Sequence, residues 1–246
     1  MNTTPLLMAA AFLAGSMNAV AGGGSFVTFP ALVFAGIPSV TANATNTVAL
    51  FPAAFASAWG YRHDFPKLER IGVRALMAVS LVGGILGALL LIFTPERTFN
   101  ALIPWLLLAA TVLFAGGRRA TPWLKRHIHF GPVSLALVQF AIAIYGGYFG
   151  GAIGILMLAA FALFGLDNIH SMNGLKSLLN GTLNGVAVIC FVLAGKVDWV
   201  PALTMLGAAM AGGYTGARVS RRMNPDHVRL AVIAIGTAMS VAFFLR

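Results

Sequence analysis

From Met1 to Tyr61 the chain carries no Asp, Glu, Lys or Arg. A membrane-spanning helix needs about 20 consecutive, mainly apolar residues, so this stretch alone has length for several helices and no charge to dress a wet surface. The pattern continues in uncharged runs at 75–95, 98–117, 130–166, 177–195, 199–217 and 230–245. Charged residues make up 9% of the chain, against about 25% in a soluble domain. Mean hydropathy is +0.88. The predicted class is an all-α polytopic membrane protein. The first run has no basic leader and flows into further apolar sequence, so no cleavable signal peptide is expected.

The formal charge of +10 does not point to nucleic acid, because the basic residues sit in short clusters between apolar runs, as cytoplasmic loops require. Cys190, the one cysteine, lies inside an apolar run and reads as a small packing residue.

The chain repeats itself at an offset of about 130 positions. Ala21-Gly22-Gly23-Gly24-Ser25 is echoed by Tyr148-Phe149-Gly150-Gly151-Ala152-Ile153-Gly154. Gly60-Tyr61-Arg62-His63-Asp64-Phe65-Pro66 parallels Gly195-Lys196-Val197-Asp198-Trp199-Val200-Pro201. Gly83-Gly84-Ile85-Leu86-Gly87-Ala88 parallels Gly212-Gly213-Tyr214-Thr215-Gly216-Ala217, and Thr94-Pro95-Glu96-Arg97 parallels Asn224-Pro225-Asp226-His227. Each half reads as five helical segments, near 5–21, 25–36, 41–61, 70–93 and 98–116, then near 132–149, 153–165, 170–194, 199–217 and 227–245. This predicts a first transmembrane repeat over 1–116, a cytoplasmic linker over 117–131 and a second repeat over 132–246.

Charge sets the orientation. If the first two segments of each half form a hairpin that returns to its starting side, then twelve basic residues share one side: Arg62, Lys67, Arg70, Arg74, Arg118, Arg119, Lys125, Arg126, Arg218, Arg221, Arg222 and Arg229. The other side holds Arg97, Lys196 and Arg246. If each pair crosses once, the split falls to ten against five. The positive-inside rule favours the first arrangement, which inverts the two halves and leaves both termini outside. The second segment of each half spans only about half a bilayer and follows a glycine cluster. Non-helical backbone at membrane depth survives where protein or a wet cavity satisfies it, and short Gly-interrupted segments at matching positions mark transporter sites.

Candidate anion contacts follow from this. Gly22, Gly23 and Gly24 break the chain before a helix opens at Ser25, and Gly150, Gly151 and Gly154 repeat the break. Free N–H groups and the positive dipole end at a helix start favour an anion; the competing reading is close helix packing through small residues. Asn43, Thr45, Asn46 and Thr47 head the third segment, and Asn173, Lys176, Ser177 and Asn180 head the eighth, with Thr182 and Asn184 beyond. Such polar density at membrane depth faces either a pathway or a partner helix. Lys176 is the sharpest residue, an ionisable group in an apolar run. It reads as a point charge for an anion, with snorkelling or a pair with Asp167 as alternatives. Asp167 and His170 are the proton-coupling candidates. No metal-ligating cluster, cofactor motif, HExxH, GxSxG or Walker A string appears, so neither an enzyme nor a nucleotide-driven pump is expected.

The order of Gly-rich break, short helix with Pro30-Ala31-Leu32 and Gly36-Ile37-Pro38, then Ala42 to Thr47, resembles the sulfite exporter TauE/SafE family, also called the toluene sulfonate uptake permease family. Gly195-Lys196-Val197-Asp198-Trp199 and Gly212-Gly213-Tyr214-Thr215-Gly216-Ala217-Arg218 carry the resemblance into the second half. It implies a secondary transporter of small sulfur-containing anions, such as sulfite, sulfoacetate or other sulfonates, with export expected. The second copy has Ala159 opposite Pro30, and Met172-Asn173-Gly174 in place of a more Ala-Thr-Ser-like stretch, so the two half-sites differ.

The expected protein is a monomer or homodimer in a bacterial inner membrane, partnered by lipid, its anion and protons. The competing readings are an uptake permease for thiosulfate, sulfate or other organic anions, a passive anion channel, and a membrane-embedded sensor without transport.

Overall fold

The structure, a computed structural model, describes residues 3–20, 22–65, 72–127, 131–151, 153–166, 168–219 and 225–245. These form ten helices: α1 (Thr4–Val20), α2 (Ser25–Phe34), α3 (Ser39–Gly60), α4 (Val73–Phe93), α5 (Glu96–His127), α6 (Pro132–Tyr148), α7 (Ile153–Leu163), α8 (Ile169–Leu193), α9 (Trp199–Val219) and α10 (Pro225–Phe244). The expected ten segments are all present. The fifth differs in extent, because α5 runs through much of the stretch expected as a linker. Charge had marked that stretch as a loop, but Arg118, Arg119, Leu124, Lys125 and Arg126 are good helix formers, and charge alone does not end a helix.

Local chemistry sets the ends. Pro95 follows Thr94, whose extended backbone closes α4, as expected of a residue before proline. Pro132 opens α6 at a first-turn position, where its missing N–H costs nothing. Asn168 caps α8, its Oδ1 accepting from the N–H groups of His170 and Ser171 at 2.9 and 3.2 Å. The residue preceding α3 is Pro38, which supplies no side-chain cap. Glu96 of α5 takes that role from a distance, both carboxylate oxygens accepting from Val40 N–H at 3.2 Å.

The surface is apolar and the interior partly polar, the reverse of a water-soluble fold. Phe93 and Leu193 are 80% and 83% exposed, while Asn43, Thr45, Asn46, Asn173, Lys176 and Ser177 are buried. By length and composition alone, α4 and α8 suffice to cross a membrane.

The helices pack as a twofold plan. α1 lies along α9 and α4 along α6; α3 contacts α9 and α8, and α4 contacts α8. Exchanging the first five helices for the last five turns α1–α9 into α6–α4, α3–α9 into α8–α4, α1–α2 into α6–α7 and α5–α7 into α10–α2. Every one of these pairs is in contact, as are α3–α8 and α5–α10, which the exchange leaves unchanged. Glycines make the closest approaches. A Cβ on Gly212 would overlap the Phe12 carbonyl oxygen, and one on Gly87 would overlap that of Ile144. Backbones this close gain dispersion that larger side chains would forbid. Ser16 and Ser57 add hydrogen bonds to the carbonyls of Gly212 and Gly213, each at 3.1 Å, and Gln139 of α6 donates to Ser80 of α4 at 2.9 Å.

Candidate functional site

The two glycine breaks meet. Gly22 and Gly23 have φ of 87° and 88°, and Gly150 has 76°, a region L-residues with a Cβ avoid. A Cβ on Gly22 would lie 3.0 Å from the Gly154 Cα, and one on Gly154 would lie 3.0 Å from the Gly22 Cα. The α1–α2 turn therefore touches the start of α7 backbone to backbone.

Beside this contact is a cavity lined by residues of both halves. Of the predicted contacts, Gly22, Gly23, Ser25, Asn46, Gly150, Gly154, Lys176 and Asn180 line it. Asn18, Thr47, Leu50, Ile153 and Asn184 line it as well. Thr47 and Asn184 belong to the polar stripes of the third and eighth segments, and Asn18 to neither. Its signal was faint: one amide in an uncharged helix, shortly before the break.

Lys176 is 2% exposed. Its ammonium donates to the carbonyls of Asn18 and Ala19 at 2.8 and 3.2 Å and to Asn173 Oδ1 at 2.7 Å. Burying an ammonium costs several kcal/mol unless its donors are met. Here three neutral acceptors meet three N–H bonds, and two of them are carbonyls at the C-terminal end of α1, where a cation is favoured. Neither snorkelling nor a carboxylate accounts for these bonds.

The other break is held in a related way. Asn43 of α3 donates to the Tyr148 carbonyl at the end of α6, 3.0 Å away, and Ser25 Oγ reaches the Gly150 carbonyl at 3.4 Å. Thus each half's third helix satisfies a carbonyl at the other half's break, with an amide in one case and an ammonium in the other. Asn46 donates to Ser25 Oγ at 3.2 Å and accepts from Thr28. Asn18 Oδ1 accepts from Gly24 N–H at 2.8 Å, clamping the first turn.

The remaining predicted residues that the structure describes lie off the cavity lining. Gly24, Asn43 and Asn173 act one bond behind it, as just described. Gly151 packs on the ring of Phe149. Thr45 faces elsewhere, its Oγ1 accepting from the Asp198 N–H at 2.9 Å, and so ties the α8–α9 loop to α3. His170 lies tilted against Tyr61, ring centroids 6.2 Å apart, and does not line the cavity. Asp167 lies outside the described residues. Cys190 is free and half-buried. No group of three or more His, Cys, Asp or Glu is placed for a metal among the described residues.

Over residues 7–243 the sequence matches the family described as Sulfite exporter TauE/SafE. The chain belongs to that family. It is a multi-pass membrane transporter of small molecules, and the family is not one of enzymes. Family members of similar sequence include "Probable membrane transporter protein YfcA" of Escherichia coli (strain K12), 26% identical over 242 residues, covering 96% of this chain and 89% of the relative. "Probable membrane transporter protein ORF9" of Sinorhizobium sp is 29% identical over 238 residues, with 96% and 90% covered. A "Probable membrane transporter protein" of Haemophilus influenzae is 27% identical over 242 residues, with 96% and 92% covered. No solved structure matches the chain.

Proposed function

We propose that this chain exports small sulfur-containing anions of the sulfite, sulfonate or sulfoacetate type across the bacterial inner membrane by alternating access. One observation carries the reading: both glycine breaks and the buried ammonium of Lys176 converge on one cavity whose lining, among the described residues, contains no carboxylate. Amide, hydroxyl and backbone N–H donors around a single cation bind an anion while leaving it free to depart, as transport requires. The family to which the chain belongs makes sulfur oxyanions the class to test first.

In this reading the halves are inverted repeats. The packing that survives their exchange and the twelve-to-three split of basic residues support it. The 117–131 stretch then lies on the cytoplasmic side and both termini outside.

The test is a thermal-shift screen of the purified protein with sulfite, sulfate, thiosulfate, sulfonates and carboxylates, repeated with Lys176→Ala. Sulfite-class anions should raise the Tm of the wild type, since a ligand at a hundredfold excess over Kd stabilises the folded state by about 2.7 kcal/mol. The variant should lose the effect. If no anion stabilises the wild type, the reading fails. Flux direction in intact cells separates export from uptake.

A further inference from the structure

Asn184 is 8% exposed and lines the cavity. Its Nδ2 donates to Asn180 Oδ1 at 2.9 Å, and its own Oδ1 is buried without a donor. Asn180 lines the same cavity. One hydrogen bond between two carboxamides always leaves one C=O and one NH₂ over, whichever way the amides are turned. One carboxamide oxygen of the pair is therefore left without a donor beside the cavity.

An acceptor is out of place in a site for a fully ionised oxyanion, which brings only lone pairs. A buried carboxamide oxygen left without a donor costs about 1–3 kcal/mol, and facing an anionic oxygen would cost more. Among the described lining residues the one titratable side chain is Lys176; the rest are glycine, amide, hydroxyl and aliphatic. So the site holds one positive charge and one acceptor in need of a proton.

Resting on the anion site proposed above, we infer that the transported species is a singly protonated oxyanion of hydrogensulfite type. Its charge matches Lys176, and its proton is donated to the Asn180–Asn184 carboxamide pair. Asn184 is thereby a specificity-determining residue. A proton crosses with each anion, carried on the substrate, and needs no relay through His170.

The test uses full-length protein in detergent, titrated with sulfite one pH unit below and one above the second ionisation of sulfurous acid. Methanesulfonate, a monoanion without an ionisable proton, is the control. Apparent Kd scales inversely with the competent fraction, so total-sulfite Kd should weaken about tenfold across that interval while methanesulfonate stays flat. Methanesulfonate should bind roughly tenfold more weakly than hydrogensulfite in the wild type, and within about twofold of it in Asn184→Leu.

A sulfite Kd that ignores pH overturns the inference. So does a parallel fall for methanesulfonate, which would place the titration on the protein. So does a preference that Asn184→Leu leaves intact. The wild-type comparison stands even where the variant fails to fold. If neither anion binds at either pH, the anion site itself falls, and the inference with it.

Discussion

The ammonium of Lys176 donates to the Asn18 carbonyl at 2.8 Å, so the cation of one half sits on the C-terminal end of the other half's first helix. The bond crosses between the repeats beside the glycine contact. It joins the charge of the candidate site to the backbone that shapes it.

Removing that ammonium has two separable effects. Lys176→Ala strands two carbonyls and the Asn173 oxygen, at about 1–3 kcal/mol for each buried group left unmet. The apo Tm in detergent should fall, and anion-dependent stabilisation should vanish. Lys176→Arg keeps the charge with a different donor geometry, so it should restore part of the anion response. A Lys176→Ala protein with wild-type Tm would show that these bonds carry little.

Glycine substitutions should rank by what they meet. Gly36 has φ of 92° and nothing within 4 Å of an added Cβ, so Gly36→Ala should cost only the left-handed backbone term, about 1–2 kcal/mol. Gly22→Ala pays a similar term and also collides with Gly154. It should cost more and should lower transport in proteoliposomes, whereas Gly36→Ala should leave transport near wild type.

The remote cap on α3 gives a third test. Glu96→Ala leaves Val40 N–H without its carboxylate, a change of the kind that costs about 1 kcal/mol at a helix start. Asn168→Ala removes the local cap of α8 and should cost a similar amount. Because the two sites share no partner, the double variant should sum the single losses in Tm.

Topology is checked directly. A reporter fused after Arg246 should read as outside the cytoplasm, and one inserted in 117–131 as inside. A cytoplasmic C-terminus would remove the inverted arrangement.

Helix number and most helix ends were legible in the sequence, because apolar run length, glycine and proline are local signals. The glycine breaks and Lys176 were legible for the same reason, since each is anomalous against its own neighbours. Partners were not. Thr45 belonged to the polar stripe by composition, but its place in the helical turn points it to the Asp198 N–H instead. Asn18 looked incidental until tertiary packing brought α8 against the end of α1. At 117–127 charge gave no guide to helicity, and α5 runs on through it.

The glycine-sealed helix pairs have a further consequence. α1 is clasped by α9 and α4 by α6, so each tight pair draws one member from either repeat. A fragment ending before α6 would leave the notched faces of α1 and α4 bare to lipid, their serines without the acceptors and donors of the missing helices. The repeats are therefore interlocked like the fingers of two hands. The duplicated plan describes the chain's symmetry, but neither set of five helices covers these faces from within itself.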